Sequence, residues 1–189
     1  MMRLSGCWRT KILNPLISET EKEPDMIRKA HKDDVKRITQ IYNEVVANSA
    51  ATFDLEEKSL EDRAAWMEEH KGNHPLLVYE TNGSVVGYAS LSSYREKKAF
   101  DATVELSVYL DSRYRGRGIG TALMEAILLE AKSRKDIHTV VSVITGGNKA
   151  SQKLHESFGF DFCGTVREAG YKFGTYLDID TYQLIVRNK

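Results

Sequence analysis

Cysteine is scarce in this sequence of 189 residues, which contains only Cys7 and Cys163. The two residues lie far apart and in different contexts, so the sequence shows neither the close spacing of a zinc site nor a disulfide framework. We therefore expect a protein of the reducing cytoplasm that uses no metal, with Cys163 packed in the core.

An excess of charge of one sign is also missing, because 27 Lys and Arg residues balance 27 Asp and Glu residues. Without a basic field, neither a nucleic acid nor a membrane surface is an expected partner. No apolar run approaches the roughly 20 residues that span a bilayer. Residues 1–25 also lack the apolar core of a signal peptide, and we interpret them as a disordered N-terminal extension. The length suits one domain, which we expect over residues 26–187.

Glycine is concentrated in one short stretch, residues 115–120, which reads Arg-Gly-Arg-Gly-Ile-Gly. Glycine at alternate positions lets the backbone turn tightly and bring its N–H groups close to a ligand. A helix pattern begins at Thr121, and the N-terminus of a helix carries unpaired N–H groups and a partial positive charge. Arg115 and Arg117 would repel each other unless they shared an anion. The stretch therefore predicts a site for a phosphate or pyrophosphate.

Other glycine-rich motifs fit this stretch less well. A Walker-type loop would end in Gly-Lys-Ser or Gly-Lys-Thr, and no such triplet occurs in the chain. A dinucleotide-binding fingerprint reads Gly-x-Gly-x-x-Gly near the first strand, whereas this stretch reads Gly-x-Gly-x-Gly and lies past mid-chain. For the glycines alone, a structural turn between a strand and a helix stays open.

The rest of the chain predicts strands and helices around a single core. Asn82-Gly83 predicts a tight hairpin, Asp33-Asp34 a helix cap, and Ser59-x-x-Asp62 a capping box. The helix after that box would bury Leu60, Ala64, Trp66 and Met67. The predicted strands cover residues 26–30, 76–80, 85–91, 103–110, 139–144, 160–166 and 181–186. The predicted helices begin after residue 34, at residue 59, at residue 121 and at residue 148.

Glu105 lies in the middle of the predicted strand over residues 103–110, which alternates between apolar and polar residues. It shares the polar side of the strand with Ser107 and Tyr109. A carboxylate at such a position is costly to bury unless it is paired or functional. Glu105 is therefore our candidate for a catalytic carboxylate. From the pattern alone, a solvated glutamate is an equal alternative.

Two motifs carry a resemblance to a known family. One is Arg115-x-x-Gly118-x-Gly120, and the other is Asn148-x-x-Ser151-x-x-Leu154-His155-x-x-x-Gly159-Phe160. With the order of elements, they resemble the GCN5-related N-acetyltransferases over about residues 26–187. Ala51-Thr52-Phe53-Asp54, Thr103-Val104-Glu105 and Lys172-Phe173-Gly174 are similar to stretches of the phosphinothricin-type subgroup, which acetylates the α-amine of small amino-acid analogues.

The resemblance implies a fold, a cofactor and an assembly. The fold would be a single α/β domain with a central mixed, mostly antiparallel twisted sheet, flanked by helices and splayed at the cofactor-binding strands. Acetyl-CoA would be the co-substrate, and a homodimer is expected. The residues that the resemblance assigns to the cofactor are Val108, Tyr109, Leu110, Arg115, Gly116, Arg117, Gly118, Ile119, Gly120, Thr121 and Asn148.

The resemblance also implies a reaction. Only a neutral amine can attack a thioester, so an ammonium substrate must first lose a proton, and Glu105 is the candidate base. His155 lies two helical turns beyond Asn148, and it would protonate the leaving thiolate or hydrogen-bond near the cofactor. A cation would suit the carboxylate of an amino acid. The residues assigned to the acceptor are Phe53, Tyr94, Arg95 and Lys172.

Two other functions stay open from the sequence. Acetylation of a protein or peptide N-terminus would use the same cofactor loop but would need an open groove for the peptide. A module that binds acyl-CoA without turnover would need the loop but would have no use for Glu105.

Overall fold

The computed structural model describes residues 24–186. Residues 1–23 and 187–189 lie outside the described residues, and with them lie most of the predicted extension and the last residue of the predicted domain. Asp25, the last residue of the predicted extension, is among the described residues, and its carboxylate accepts a hydrogen bond from the hydroxyl of Tyr79 at 2.9 Å. In the described part, no helix is both long enough and apolar enough to cross a membrane.

Residues 24–186 contain seven strands and four α-helices. The strands are β1 (Met26–Lys29), β2 (Leu76–Thr81), β3 (Ser84–Ser93), β4 (Thr103–Leu110), β5 (Thr139–Thr145), β6 (Asp161–Lys172) and β7 (Thr175–Ile185). The helices are α1 (Val35–Asn48), α2 (Leu60–Glu68), α3 (Ile119–Ser133) and α4 (Lys149–Ser157). Short 3₁₀ turns precede α1 (Lys32–Asp34), β4 (Lys98–Phe100) and α3 (Ser112–Tyr114).

The strands form one sheet in the order β1-β2-β3-β4-β5-β7-β6. All neighbours are antiparallel except β4 and β5, which are parallel. Helices α1 and α2 pack on one side of the sheet, the front face, while α3 and α4 pack on the other side, the back face. The predicted single domain with a mixed, mostly antiparallel sheet is confirmed.

Strand β4 divides its side chains between the two faces, as its alternation predicts. Val104 and Leu106 are buried at the back against the apolar side of α3. Tyr109 packs at the front, where its ring centroid lies 5.2 Å from that of Tyr42 on α1. Because side chains alternate along a strand, Glu105 and Ser107 share the front face with Tyr109.

The sheet opens between β4 and β5. Their parallel ladder pairs only Thr103, Val104 and Glu105 with residues 139–141, whereas β5 pairs with β7 along its whole length. Beyond Glu105 the two strands are not bonded to each other. The predicted splay is confirmed, and the gap that it creates begins at Glu105.

Of the two predicted helix caps, one is confirmed. The Ser59 hydroxyl accepts from the Asp62 N–H at 3.0 Å, and the Asp62 carboxylate accepts from the Ser59 N–H at 3.3 Å. Asp34 does not cap α1, because its carboxylate binds the guanidinium of Arg28 at 2.7 and 2.9 Å and the N–H of His31 at 2.8 Å. The Asp34 carboxylate therefore binds a charged side chain of β1 and not the N–H groups of α1.

The closing hairpin of β6 and β7 is longer than the sequence predicts. Register shifts between Phe162 and Gly164 and between Val166 and Gly170 interrupt the alternation that would have revealed a continuous strand. Cys163 lies at the first shift and is exposed, so the prediction that it packs in the core is wrong.

The tight hairpin at Asn82-Gly83, between β2 and β3, is confirmed, with φ of +48° and +70° at the two residues.

The connection between α1 and α2 folds onto the closing hairpin. The Lys172 ammonium donates to the Thr52 carbonyl at 2.9 Å, and the Thr145 hydroxyl donates to the Ala50 carbonyl. The ring of Phe53 lies directly on the backbone of Gly170, where a Cβ would overlap it. These contacts hold the α1–α2 connection over the front face beside the gap.

Gly170→Ala is therefore expected to destabilise the protein by about 1–3 kcal/mol, because the new methyl overlaps a packed ring. Gly120→Ala is the control, since its Cβ would meet Leu110 Cδ1 at an ordinary 3.5 Å. Thermal or urea denaturation measures both. The double variant with Phe53→Ala should recover much of the loss, and a Gly170→Ala protein as stable as the control would contradict the contact.

Candidate active site

The predicted phosphate loop is a turn that leads directly into α3. Gly116 and Gly118 have φ of +73° and +80°, which glycine adopts without strain, and Gly118 is the N-cap of the helix. The helix begins at Ile119, two residues before the predicted start. Its first bond runs from the Ala122 N–H to the Gly118 carbonyl at 3.0 Å. Within residues 24–186, the N–H groups of residues 116–121 have no hydrogen-bond partner.

The charges around this loop suit an anion. Arg115 and Arg117 are exposed, and neither forms an ion pair with another described residue. The Arg117 guanidinium lies 5.0 Å from the ring centroid of Tyr114. A Cβ built on Gly116 or Gly118 meets no atom within 4 Å, so open space adjoins the turn. Free N–H groups, a helix dipole and two cations together fit a phosphate or pyrophosphate.

Asp111 fixes the turn that carries the loop. Its side chain is fully buried, and its carboxylate accepts from the guanidinium of Arg113 at 2.6 and 3.0 Å and from the Arg113 N–H at 3.0 Å. The same carboxylate pairs with Arg37 of α1, whose Nε also donates to the Val85 carbonyl at 2.8 Å. The hydrogen bonds from Arg113 are the largest cause that lowers the pKa of Asp111, and the bond from Arg37 lowers it further. Burial acts in the opposite direction, but the pKa still lies far below its usual range. This stabilisation is present above about pH 4 and is lost as the pH falls further.

The backbone of β4 offers polar groups to the gap at alternate residues. Strands β3 and β4 pair without a register shift, and the Asp111 N–H donates to the Val86 carbonyl at 2.9 Å. By the alternation of an antiparallel ladder, the backbone of Tyr109 is bonded to β3, whereas that of Val108 and Leu110 points into the gap. Of the three residues assigned to the cofactor on β4, two can therefore bind an extended ligand through the backbone.

Asn148 caps α4 at the far side of the gap. Its Oδ1 accepts from the Ser151 N–H at 3.2 Å, which is the capping role expected of an asparagine at this position. Its Nδ2 donates to no other residue in the described part of the chain, so the cap leaves an amide donor for a ligand. A Cβ on Gly120 would lie 3.5 Å from Leu110 and 3.7 Å from Leu154. These contacts close the back of the gap with α3 and α4.

Glu105 is the last residue of the ladder between β4 and β5, where it pairs with Val141 on one side and Ser92 on the other. The residue is half-buried on the front face. Among the hydrogen bonds and ion pairs of residues 24–186, none involves its carboxylate. Burial raises the pKa of Glu105 above the usual range of glutamate. A carboxylate with a raised pKa and no structural partner, at the start of a gap, has the properties of a general base.

His155 lies on the other side of the sheet from Glu105. It is 5% exposed and packs edge-on against Phe160, with a ring centroid distance of 5.0 Å. Nδ1 donates to the Ser151 carbonyl at 2.8 Å, since a carbonyl can only accept. Nε2 is buried without a partner in the described residues, and burial lowers the pKa of the ring. In this neutral form Nε2 is able only to accept a hydrogen bond, and donating a proton would require the imidazolium that burial disfavours.

The residues assigned to the acceptor lie on two sides of Glu105. Phe53 and Lys172 belong to the contact between the α1–α2 connection and the closing hairpin. Lys172 is 4% exposed, and burial lowers the pKa of its ammonium, which binds the Thr52 carbonyl. Lys172 therefore holds the α1–α2 connection in place, and its ammonium is not an open surface cation.

Tyr94 and Arg95 follow β3 on the opposite side of Glu105. The Arg95 guanidinium lies 5.0 Å from the ring centroid of Tyr94 and 5.5 Å from that of Phe100. Arg95 is exposed and forms no ion pair within residues 24–186. Because Ser92 pairs with Glu105, Arg95 lies three residues beyond that rung of the sheet. It remains an accessible cation for the carboxylate of an acceptor.

Arg63 is not among the site residues that the sequence predicts. Helix α2 exposes Leu60 and Ala64, which were expected to be buried, and it buries Arg63 to 5% exposure. The guanidinium carbon lies 3.9 Å from the ring centroid of Tyr42 and 4.6 Å from that of Trp66. Apolar periodicity cannot identify a buried cation. The spacing of three residues between Arg63 and Trp66, which places both on one side of a helix, was the available signal.

A family model of the acetyltransferase (GNAT) domain matches residues 27–180. The chain belongs to the GNAT family of acetyltransferases. The L-methionine sulfoximine/L-methionine sulfone acetyltransferase of Salmonella typhimurium is 39% identical over 159 residues, which cover 84% of this chain and 92% of that enzyme. The resemblance inferred from the motifs is confirmed, and the protein is an N-acetyltransferase.

Solved structures agree with the fold of this acetyltransferase. A phosphinothricin acetyltransferase from Sinorhizobium meliloti in complex with acetyl-CoA is 32% identical, with a TM-score of 0.82 over 86% of this chain and 88% of that one. A ribosomal-protein-alanine N-acetyltransferase from Brucella melitensis is 40% identical, with a TM-score of 0.82 over 85% of this chain and 99% of that one.

In the acetyltransferase, one continuous segment carries most of the candidate site. Residues 105–120 include Glu105, the backbone groups of Val108 and Leu110, Asp111 and the predicted phosphate loop. The five steps from Glu105 to Leu110 span roughly 17 Å of strand. A long ligand that lies along β4 can therefore place a phosphate at α3 and its other end beside Glu105.

Asp111→Asn is expected to raise the Michaelis constant for acetyl-CoA about tenfold while changing kcat less than about threefold, because it loosens the turn before the loop without touching the candidate base Glu105. Asp136→Asn is the matched control, since Asp136 forms an exposed ion pair with Arg134. Steady-state kinetics at saturating acceptor measure both variants. Equal constants for the wild type and Asp111→Asn would show that the Asp111 contacts do not position the loop.

Proposed function

We propose that the protein transfers the acetyl group of acetyl-CoA to the α-amine of a small amino acid or of an analogue such as phosphinothricin, methionine sulfoximine or methionine sulfone. The observation that carries the proposal is the half-buried carboxylate of Glu105, which has no partner among residues 24–186. It lies at the start of a gap that ends at the glycine turn before α3. The activities of the Salmonella and Sinorhizobium relatives support the choice of acceptor.

The chain supplies binding and proton transfer. The N–H groups of residues 116–121, with Arg115 and Arg117, bind the pyrophosphate, and the backbone of Val108 and Leu110 with the Asn148 amide binds the pantetheine arm. Acetyl-CoA supplies an activated thioester. Glu105 accepts a proton from the acceptor's ammonium, directly or through water. The neutral amine then forms the new C–N bond, and its nitrogen releases a second proton to solvent as the C–S bond breaks. The departing thiolate takes a proton from solvent or from His155.

The acceptor lies on the front face in this scheme. Arg95 and Tyr94 approach Glu105 from the loop after β3, and they bind the acceptor's carboxylate. Phe53 provides apolar contact from the side of the α1–α2 connection. Lys172 acts by holding that connection against the hairpin, through its bond to the Thr52 carbonyl.

Release of free coenzyme A thiol tests the proposal against a panel of amines. Phosphinothricin, methionine sulfoximine and methionine sulfone should turn over at least about tenfold faster, in kcat/KM, than polyamines or short peptides, because the site binds a carboxylate beside the amine. The acetylated product is checked by mass. Turnover that is confined to amines without a carboxylate would overturn the assigned acceptor class.

Glu105→Gln should lower kcat by roughly 10²- to 10⁴-fold and leave the affinity for acetyl-CoA unchanged, because the amide cannot accept a proton. In the wild type, kcat/KM should rise with pH as the carboxylate ionises. Since the pKa of Glu105 is raised, that rise should occur above the ordinary glutamate value of about 4.3. Glu96→Gln, at an exposed residue, is the control. Equal turnover in Glu105→Gln would eliminate Glu105 as the base.

A second candidate function is acetylation of a protein N-terminus, which the 40% identity to the Brucella ribosomal-protein-alanine N-acetyltransferase favours. Such a substrate needs an open groove across the front face. The contacts of Lys172, Thr145 and Phe53 instead hold the α1–α2 connection down beside the gap. Alanine-ended peptides in the amine panel distinguish the two functions, and binding without any turnover would indicate a non-catalytic acyl-CoA module.

The proposed enzyme is a homodimer. Strand β6 is an edge strand, and apolar side chains are exposed along the closing hairpin. They are Phe162, Val166, Tyr171, Phe173, Tyr176 and Ile185. An exposed apolar patch of this kind is typical of a surface that a partner covers.

Light scattering should give a mass of about twice the 21.4 kDa of one chain. Tyr171→Lys with Tyr176→Lys should give the single-chain mass, because two charges would be buried without partners. Leu129→Lys, at an exposed leucine of α3, is the control. A wild-type protein that is monomeric at the concentration of the assay would refute the dimer.

A further inference from the structure

Arg63 is a buried guanidinium that pairs with no anion of residues 24–186. The residue is 5% exposed and lies between the rings of Tyr42 and Trp66. No hydrogen bond or ion pair of residues 24–186 involves its side chain, and its Nε is fully buried. The nearby carboxylate of Asp54 is already bound by the Tyr42 hydroxyl at 2.6 Å and by Lys58 at 3.1 Å.

Four other arginines of the described part differ from Arg63 because they form ion pairs. Arg28, Arg37, Arg113 and Arg134 each pair with a carboxylate, although all of them are more exposed than Arg63. Stacking on two aromatic rings offsets part of the cost of burying a cation. The N–H groups of Arg63 still lack acceptors, and buried cations without partners are rare where they have no ligand to bind.

The position of Arg63 connects it to the acceptor side of the candidate site. Tyr42, on which it stacks, packs edge-on against Tyr109, which shares the front face of β4 with Glu105. The Tyr42 hydroxyl also bonds Thr52 at 3.0 Å, next to Phe53. Arg63 is therefore separated by one side chain from the strand that carries the base and from the α1–α2 connection.

The acceptors of the proposed function share a group that suits this environment. Phosphinothricin and methionine sulfone each end in a tetrahedral phosphorus or sulfur that carries two oxygens and a methyl group, and methionine sulfoximine has one oxygen and one nitrogen instead. A guanidinium presents parallel N–H groups that match such a pair of acceptors. The ring of Trp66, which is partly exposed, offers apolar surface for the methyl.

We propose that Arg63 binds the oxo group at the end of the acceptor's side chain and so makes the enzyme prefer oxidised-sulfur and phosphinate amino acids over plain ones. The proposal rests on the proposed function. Arg63 then binds one end of the acceptor and Arg95 the carboxylate at the other, with Glu105 near the amine between them. A buried guanidinium without an internal partner gains most from a fully charged phosphinate, which should bind more tightly than the neutral sulfone.

The test compares acceptors that differ only in the oxidation of sulfur. For the wild type, kcat/KM should be roughly 10- to 100-fold higher for methionine sulfone than for methionine, as a hydrogen bond to a charged group predicts. In Arg63→Met this ratio should fall to within about threefold of one, while the value for methionine changes little. Arg95→Met is the matched control, since it should weaken both acceptors equally and preserve the ratio.

A binding measurement separates this proposal from the proposed function. Dimethylphosphinate, which carries the oxo group but no amine, should bind the complex of wild-type enzyme with coenzyme A and raise its melting temperature. It should not do so for Arg63→Met, or for Arg63→Lys, whose ammonium lacks the planar fork. This result would support the Arg63 site even if every amine of the panel were inert, in which case only the proposed function would fail.

Three results would overturn the assignment. One is an unchanged sulfone-to-methionine ratio in Arg63→Met. Another is an equal loss for both acceptors, which would mean that Arg63 supports the fold or the shared part of the acceptor. The third is dimethylphosphinate that fails to protect the wild-type complex, a measurement that needs no variant to fold.

Discussion

The candidate site of this acetyltransferase depends on the short hydrogen-bonded ladder between β4 and β5. Three residues of β4 pair with β5, and the strands separate after Glu105. Unpaired backbone groups are costly where water is excluded, so an open sheet needs something to bind them. Here the alternation of the ladder to β3 turns the polar groups of Val108 and Leu110 into the gap. One interruption therefore provides backbone donors and acceptors for a ligand and leaves Glu105 at the start of the opening.

Some charged side chains around the gap have protein partners, and others have none among the described residues. Asp111 is fully buried and shared by two guanidiniums, which hold the turn before the predicted phosphate loop. Lys172 is buried against a carbonyl, and it holds the α1–α2 connection over the front face. Glu105 and Arg63 have no protein partner among the described residues. Paired charges here maintain geometry, while unpaired ones retain the capacity to bind or to exchange protons.

The two faces of the sheet divide the proposed work. The back face closes the gap through Leu110, Gly120 and Leu154, and it contains His155 in a neutral, aromatic setting. The front face contains Glu105 and the aromatic cluster around Arg63. A donor that lies in the gap could thus meet an acceptor only from the front, where Glu105, the proposed base, lies. His155 would influence the reaction through hydrogen bonding more readily than through proton donation, because burial opposes its protonation.

The sequence by itself determined the order of elements, the glycine-rich turn before α3, the capping box and the alternation that places Glu105 on a polar strand face, because these depend on local spacing. Only the tertiary structure decided which charges are paired. The partners of Asp111 include Arg37, 74 residues away, and Lys172 bonds a carbonyl 120 residues away. The register shifts of β6 interrupt the alternation by which a long strand is recognised in a sequence. The burial of Arg63 could not be predicted from apolar periodicity, because the residue is charged. Local periodicity records which residues share a face, whereas pairing and burial depend on contacts between distant parts of the chain.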